Sequence, residues 1–300
     1  MFDSLPEKHH TTAALIALLR RGDRLWHHYS DVVEAAGSAS AVLSGEIQDE
    51  EKALTLFDEK QPPPDLEAIE EEIATWESEG ISVVSVLDEE YPSNLRTIHN
   101  RPPLLFIRGR LAPADERSVA VVGTRKPSDD GVRHAKHVAS GLSEAGYTVI
   151  SGLAAGIDTA AHTAALDCQG RTVAVIGTGI RRAYPASNTE LQQQIASEAA
   201  VVSQFWPDAP PTKVSFPMRN IVMSGLSRAT VVVEAADRSG ARMQARYALE
   251  HGRPVFLLES LLQHDWAREY AERPGTHVVG RVDEVVELVE RLAAPDVLTV

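Results

Sequence analysis

The sequence predicts an α/β protein: a mostly parallel sheet with helices on both faces, preceded by a small helical domain. Three observations lead there. From residue 118 onward a short valine-rich run, a glycine turn and a helix-length segment recur. The runs are continuously apolar, as strands buried on both faces are, rather than alternating. Residues 11–60 carry helical patterns with no such runs. Parallel strands joined by crossover helices account for the recurrence.

Taken in order, "TTAALIALLRRG" (11–22) predicts a helix with a Thr cap and a Gly stop. "YSDVVEAAG" and "SASAVLSGEIQDEEKALTLFDEK" continue in short helical pieces. "QPPPD" (61–65) breaks the pattern, because prolines stiffen the chain and stop helices. The boundary is placed there: residues 1–61 form a small acidic helical domain and 62–300 the main domain. In "LEAIEEEIATWESEG" the residues Leu66, Ile69, Ile73 and Trp76 fall on one helix face. "ISVVSVL" (81–87) and "PLLFIRG" (103–109) read as strands flanking an irregular crossing. Further strands are expected at 118–123, 147–152, 172–177, 200–205, 230–235 and 254–259. Helices are expected at 129–145, 156–168, 187–198 and 239–251, with a last amphipathic one at 282–292.

Composition narrows the function classes. The single cysteine, Cys168, excludes an intrachain disulfide and a cysteine-based metal site, and suits a reducing compartment. The first residues lack a signal-peptide pattern, and no run of 18 apolar residues exists. A soluble, cytoplasmic protein is expected. Net charge is -14, which taken alone argues against nucleic acid. Its distribution changes that. Residues 1–100 hold 7 Lys/Arg and 21 Asp/Glu, while residues 101–300 hold 22 of each. A local positive cleft is compatible with the second part, and the acidic front would steer an anionic partner toward it.

Ligands of open α/β sheets sit beyond the carboxyl ends of the strands. Five segments place glycine or polar residues there: Gly123-Thr124-Arg125, Ser151 to Gly156 with Gly152 between, Gly177-Thr178-Gly179, Glu234-Ala235 and Ser239-Gly240. Glycines let backbone approach an anion, and helix N-termini offer free N–H groups. Ser151, Thr178 and Ser239 add hydroxyls, and Arg125 adds a bidentate phosphate grip. Any one of these loops is equally well explained as a tight turn that needs Gly.

Asp158 and His162 share a helix face and form a catalytic pair, half a metal site without a third ligand at a convincing spacing, or, preferably, a backbone cap and a packed histidine. Cys168 reads as packed. His9-His10 and His27-His28 are unsupported as metal sites, since adjacent side chains splay apart. No nucleophile elbow or phosphate-binding P-loop is present. Nothing calls for a cofactor or a metal. In "KVSFPMRNIVMSGLSR" (213–228), Lys213 and Arg219 flank Phe216, the combination of charge and stacking surface that single-stranded nucleic acid requires. The competing reading makes Phe216 core, pairs Arg219 with Glu234 and makes Asn220 a helix cap.

Seven stretches together resemble the DprA/Smf family, the DNA-processing proteins of bacterial natural transformation. They are "GISVVSVLDEEYPSNLRTIHNRPPLLFIRG", "VAVVGTRKPSDDG", "SGLAAGIDTAAH", "VAVIGTG", "YP" at 184–185, "FPMRNIVMSGLSRATVVVEA" and "SGARMQARYALEHGRPVF". They span about residues 80–256 in order.

The resemblance implies an extended Rossmann-like fold, a homodimer, binding of single-stranded DNA without strong sequence preference, and loading of the RecA recombinase. It implies a pocket lined by Arg125, Ser151, Gly152, Lys213, Phe216, Arg219 and Asn220, with Gly123, Gly156, Gly177, Gly179 and Gly240 shaping loops. Thr124, Lys126, Asp158, His162, Glu234, Ser239 and Arg242 are auxiliary candidates.

The chain departs from the family pattern in three places. Ile221 replaces a second arginine after Asn220. The usual S-G-S/T-x-x-T-A reads "SGARMQA", with Arg242 as a candidate replacement charge. No Pro-Gly follows "VFLLES". No winged helix of the kind some members carry is expected within the remaining residues. Dimer contacts are expected from the last helix or from Leu257, Leu258, Leu261 and Leu262, if these are not ordinary core. Two other readings use the same fold: a nucleotide-derivative sensor or phosphoribohydrolase-like enzyme in the same crevice, and a structural protein that recruits RecA through its acidic surface.

Overall fold

The computed structural model describes residues 5–22, 24–46, 64–237 and 239–293. It divides into two compact units, residues 1–91 with 99–106 and residues 92–98 with 107–300. The boundary expected at residues 61–62 lies outside the described residues, as does the part of the short helical pieces expected over 47–60.

The first unit holds α1 (Leu5–Arg21), α2 (Trp26–Ala36), α3 (Ala39–Ser44) and α4 (Leu66–Ser78), followed by β1 (Ile81–Ser85). Ile69, Ile73 and Trp76 are buried as the spacing of α4 requires, and Asp65 caps that helix by accepting from the amide of Ala68. Thr11 and Thr12 do not cap α1, which starts at Leu5. Its first turns are already anchored: Lys8 donates to Glu90 (3.3 Å), and His9 and His10 lie 3.1 and 2.9 Å from Glu77 and Glu70. Thr12 is instead buried in mid-helix. The His27 and His28 rings do not splay apart; their centroids are 4.5 Å apart, edge to face. Among the described residues no group of three or more His, Cys, Asp or Glu is placed to hold a metal.

The second unit begins with α5 (Ser93–Arg96); β2 (Leu104–Gly109) carries the chain back into it. Then follow β3 (Ser118–Val122), α6 (Asp129–Glu144), β4 (Thr148–Ser151), α7 (Ile157–Asp167), β5 (Thr172–Val175), α8 (Thr189–Glu198), β6 (Ala200–Ser203), α9 (Ser215–Leu226), β7 (Ala229–Val232), α10 (Gly240–Glu250) and β8 (Val255–Leu258). The chain closes with α11 (Asp265–Ala271), β9 (Thr276–Val279) and α12 (Val282–Ala293). The pair α11 and β9 had no counterpart in the sequence reading; a four-residue strand after "ERPG" is too short to declare itself by pattern.

In this unit the strands run in the order β6-β5-β4-β3-β7-β8-β9, every pair parallel. Residues β3 to β8 are buried throughout. That explains why these strands read as unbroken apolar runs. Alternation along β3 then separates two faces. Val119 and Val121 join a core with Val138 and Leu142 of α6, Ala161 of α7 and Val285 and Val289 of α12. Val122 points to the other face, where Met223 of α9 and Ala241 of α10 stand.

Leu257, Leu258 and Leu261 are buried within the chain, so they are core rather than a dimer surface. Cys168, expected to be packed, is exposed, and its thiol donates to Ser140 Oγ at 3.2 Å. Among the described residues no helix is long and apolar enough to cross a membrane.

Candidate nucleic-acid interface

From β3 the chain moves to β4 on one side of the sheet; from β7 it moves to β8 on the other. A crevice opens where neighbouring strands send their connections apart. A cavity of about 400 Å³ lies there. Gly123, Thr124 and Arg125 line it from the end of β3, Ala154 from the end of β4, and Ala236, Ser239 and Gly240 from the end of β7. Phe216, Arg219, Asn220 and Met223 of α9 face Ala241, Met243 and Gln244 of α10 across it.

At the mouth, Arg125 is exposed and its guanidinium carbon lies 5.0 Å from the centroid of the Phe216 ring. Phe216 is half-buried, not core. Its position follows from the start of α9. Ser215 and Thr212 exchange hydrogen bonds, amide to hydroxyl in both directions, at 3.0 and 3.1 Å. The Ser215 hydroxyl also donates to Gly177 O at 2.6 Å. This ties the helix to the end of β5 and lays Phe216 against Gly177, where a Cβ would come 2.8 Å from the ring. A third group joins them: the Tyr184 ring, 44% exposed, is 5.6 Å from Phe216 and tilted by 44°. Tyr184 was visible only as part of a "YP" pair; its sequence distance from Phe216 gave no sign of contact.

Below this rim lies a buried ion pair. Arg219 Nη1 stands 3.9 Å from Asp158 Oδ2 and donates to Val175 O at 3.2 Å. Asp158 also accepts from the amides of Gly152 (3.2 Å) and Ala154 (3.3 Å). Burial pushes the Asp158 carboxyl up, opposed by Arg219 and the two amides, and pushes Arg219 down, opposed by Asp158. A guanidinium keeps its proton in a protein, and the Asp158 carboxyl beside it offsets part of the cost of burying that charge. Gly152 has no room for a side chain, since a Cβ would fall on the Arg219 guanidinium.

Several expected roles are therefore corrected. Arg219 pairs with Asp158, not Glu234, and it supports the floor rather than the rim. Ser151 is fully buried and its hydroxyl donates to Val121 O at 2.6 Å, so it offers nothing to a ligand. Thr178 is likewise buried. Asn220 is no cap: it sits inside α9 and donates to Gly240 O at 3.2 Å. Ser239 caps α10 by accepting from Ala241 N. Asp158 and His162 do take the roles preferred from the sequence, a carboxylate accepting backbone amides and a packed histidine, and do not form a catalytic pair. His162 Nδ1 lies 2.7 Å from Thr172 Oγ1, and burial lowers its pKa to about 3. Arg242 does not line the cavity; it donates to Asp237 O and lies 5.7 Å from the Tyr270 centroid. Lys126 and Lys213 are exposed, Lys213 on the loop entering α9.

Glu234 has a specific place. Its carboxylate accepts from the amide and hydroxyl of Ser128, the residue that caps α6 (3.1 and 2.7 Å). In a dinucleotide-binding sheet this first helix N-terminus receives the pyrophosphate. Here a protein carboxylate already occupies it. Gly156, with φ +88°, brings its loop against Thr124 and completes the same corner.

The model of the DNA recombination-mediator protein A family matches residues 82–289. Protein Smf from Synechocystis is 43% identical over 175 residues, 57% of this chain and 44% of that protein; the chain thus spans less than half the length of that relative. The structure of DNA processing protein A from Streptococcus pneumoniae aligns with a TM-score of 0.67 and 30% identity, over 96% of this chain and 98% of that one. The structure describing the single-stranded DNA binding mode of DNA processing protein A from Helicobacter pylori aligns at 0.63 with 26% identity, over 70% and 96%.

Proposed function

Because the chain belongs to the DNA recombination-mediator protein A family, we propose that it binds single-stranded DNA without strong sequence preference and delivers it to the RecA recombinase. The observation that carries the reading is the exposed Arg125 guanidinium over the Phe216 ring at the mouth of the cavity. It joins a phosphate-binding charge to a face on which any base stacks. Lys213 adds a second cation and Tyr184 a second ring beside it. Arg219, Asp158, Gly152 and Asn220 act from beneath, by holding α9 and the β4 loop in place. Glu234 at the α6 N-terminus weighs against a nucleotide phosphate seated there, and so favours a strand running across the rim.

Duplex DNA presents no free base faces, so a stacking rim selects single strands. The acidic first hundred residues disfavour non-specific adhesion elsewhere on the chain. Two copies would lengthen the bound strand, and a homodimer is part of the proposal.

The test is fluorescence anisotropy with a labelled dT30 oligonucleotide across a salt series, followed by RecA strand exchange on single strands coated with single-strand binding protein. Tight binding that weakens with salt, together with faster exchange, supports the reading. No binding at low salt rejects it. Binding without any effect on exchange leaves the DNA site and removes the recombinase.

A further inference from the structure

The cavity floor carries polar groups that the rim does not explain. Gln244, on α10, is fully buried and lines the cavity. Its Nε2 lies 3.5 Å from Thr230 Oγ1, and its Oε1 has no hydrogen-bond partner. Arg219, lining the same cavity, has an unpartnered Nε. Buried donors and acceptors are almost always satisfied, because each one left unmade is costly. Two residues lining one cavity thus carry an acceptor and a donor without partners, which a ligand with the complementary pair would satisfy.

A phosphate does not fit that description. It carries acceptors only, which Gln244 Oε1 and the Asp158 carboxylate repel, and Asp158 already neutralises Arg219. A nucleobase does fit. It is flat and apolar on its faces, matching Phe216 and Met243, and its edge carries N–H donors beside ring or carbonyl acceptors. The cavity is also within the size range of small-ligand sites. In "SGARMQA" Gln244 occupies the second Thr position of the family pattern S-G-S/T-x-x-T-A. Glutamine is longer than threonine and ends in an amide, so this chain carries a different polar group at that position of the cavity lining.

We infer that Gln244 reads the edge of a nucleobase lodged in the cavity, its Oε1 accepting a hydrogen bond from a base N–H. The inference rests on the single-strand reading above and deepens it: one base per protomer enters, and the phosphates stay outside with Arg125.

The experiment compares dT30 with a 30-mer of N3-methylthymidine, which keeps charge and ring faces but lacks the single N–H of thymine. Anisotropy is measured for the wild type, Gln244→Leu, Gln244→Thr and Arg125→Ala. The wild type should bind the methylated strand about tenfold more weakly, the loss expected when a buried acceptor goes unpaired. Gln244→Leu should bind both strands alike, and Arg125→Ala should weaken both equally. Should the leucine variant fail to fold, Gln244→Thr gives the same comparison with the residue of the family pattern. Equal binding of both strands by the wild type overturns the inference and leaves single-strand binding intact. So does discrimination that survives removal of the Gln244 amide. If the wild type binds neither strand, both readings fall together.

Discussion

The Arg125 guanidinium lies 5.0 Å from the centre of the Phe216 ring, although the two residues are contributed by the end of β3 and the first turn of α9. A charge and a ring face held this close form one surface. The charge lies over the ring where a stacked base would meet it, and it remains exposed to a phosphate. Their contributions should nevertheless separate by salt.

Arg125→Ala should weaken single-strand binding and lower the slope of log affinity against log salt by about 0.7, the value for one phosphate contact on a single strand. The thermal midpoint should stay within a degree or two, since Arg125 is exposed. Anisotropy over 50 to 300 mM salt, roughly the range in which such slopes are read, measures it. An unchanged slope would place the strand elsewhere.

Phe216→Ala should cost about 1–3 kcal/mol of binding with the salt slope preserved, and Tyr184→Ala a smaller amount in the same sense. Tyr184→Phe should retain affinity, because the ring face and not the hydroxyl carries the contact. Loss of affinity in Tyr184→Phe would mean that the hydroxyl is the working group. Loss of the salt slope in Phe216→Ala would mean that the ring serves only to position Arg125.

How much of this was legible in the sequence follows from what each residue type can signal. The parallel sheet was readable because β3 to β8 are buried on both faces and carry runs of valine. The loops at strand ends were readable because glycine marks them, and Arg125 and Phe216 stood out as a charge and an aromatic beside such loops. Arg219 was misplaced because a sequence cannot say that a residue on an apolar helix is turned inward onto Asp158. Ser151 misled for the same reason: a hydroxyl at a strand end is equally suited to a ligand and to the neighbouring carbonyl of Val121. Tyr184 and Gln244 depend on packing between segments distant in sequence. β9 is four residues long and carries too little pattern to register.

Arg219→Ala and Gly152→Ala should act on the fold before they act on binding. Removing Arg219 leaves the Asp158 carboxylate buried without its counter-charge, at a cost of about 3–5 kcal/mol. An alanine at Gly152 forces its Cβ onto the guanidinium, and overpacking of this kind costs about 1–3 kcal/mol. Urea unfolding checks both. Stability equal to that of the wild type in Arg219→Ala, with lost DNA binding, would return Arg219 to the rim as a direct contact.

His162 gives the last prediction its sign. In the folded protein its pKa is lowered to about 3, chiefly by burial and further by the nearby Arg219 charge. In the unfolded chain it titrates near 6.5. Between those values the unfolded state binds a proton that the folded state refuses. The stability this residue contributes is therefore fully present above about pH 6.5 and is lost progressively as pH falls toward 3. Each pH unit in that window removes about 1.4 kcal/mol at most. The raised pKa of Asp158, four residues earlier, works in the opposite sense, so the two must be separated by mutation. His162→Gln retains a polar group for Thr172 but cannot become charged. It should lower stability at pH 7.5 and flatten its dependence between pH 6.5 and 4.5. Urea midpoints at four pH values in this range measure the slope. A variant whose slope equals the wild type's would show that His162 takes up its proton without unfolding, and that the cavity wall beside Arg219 opens to water.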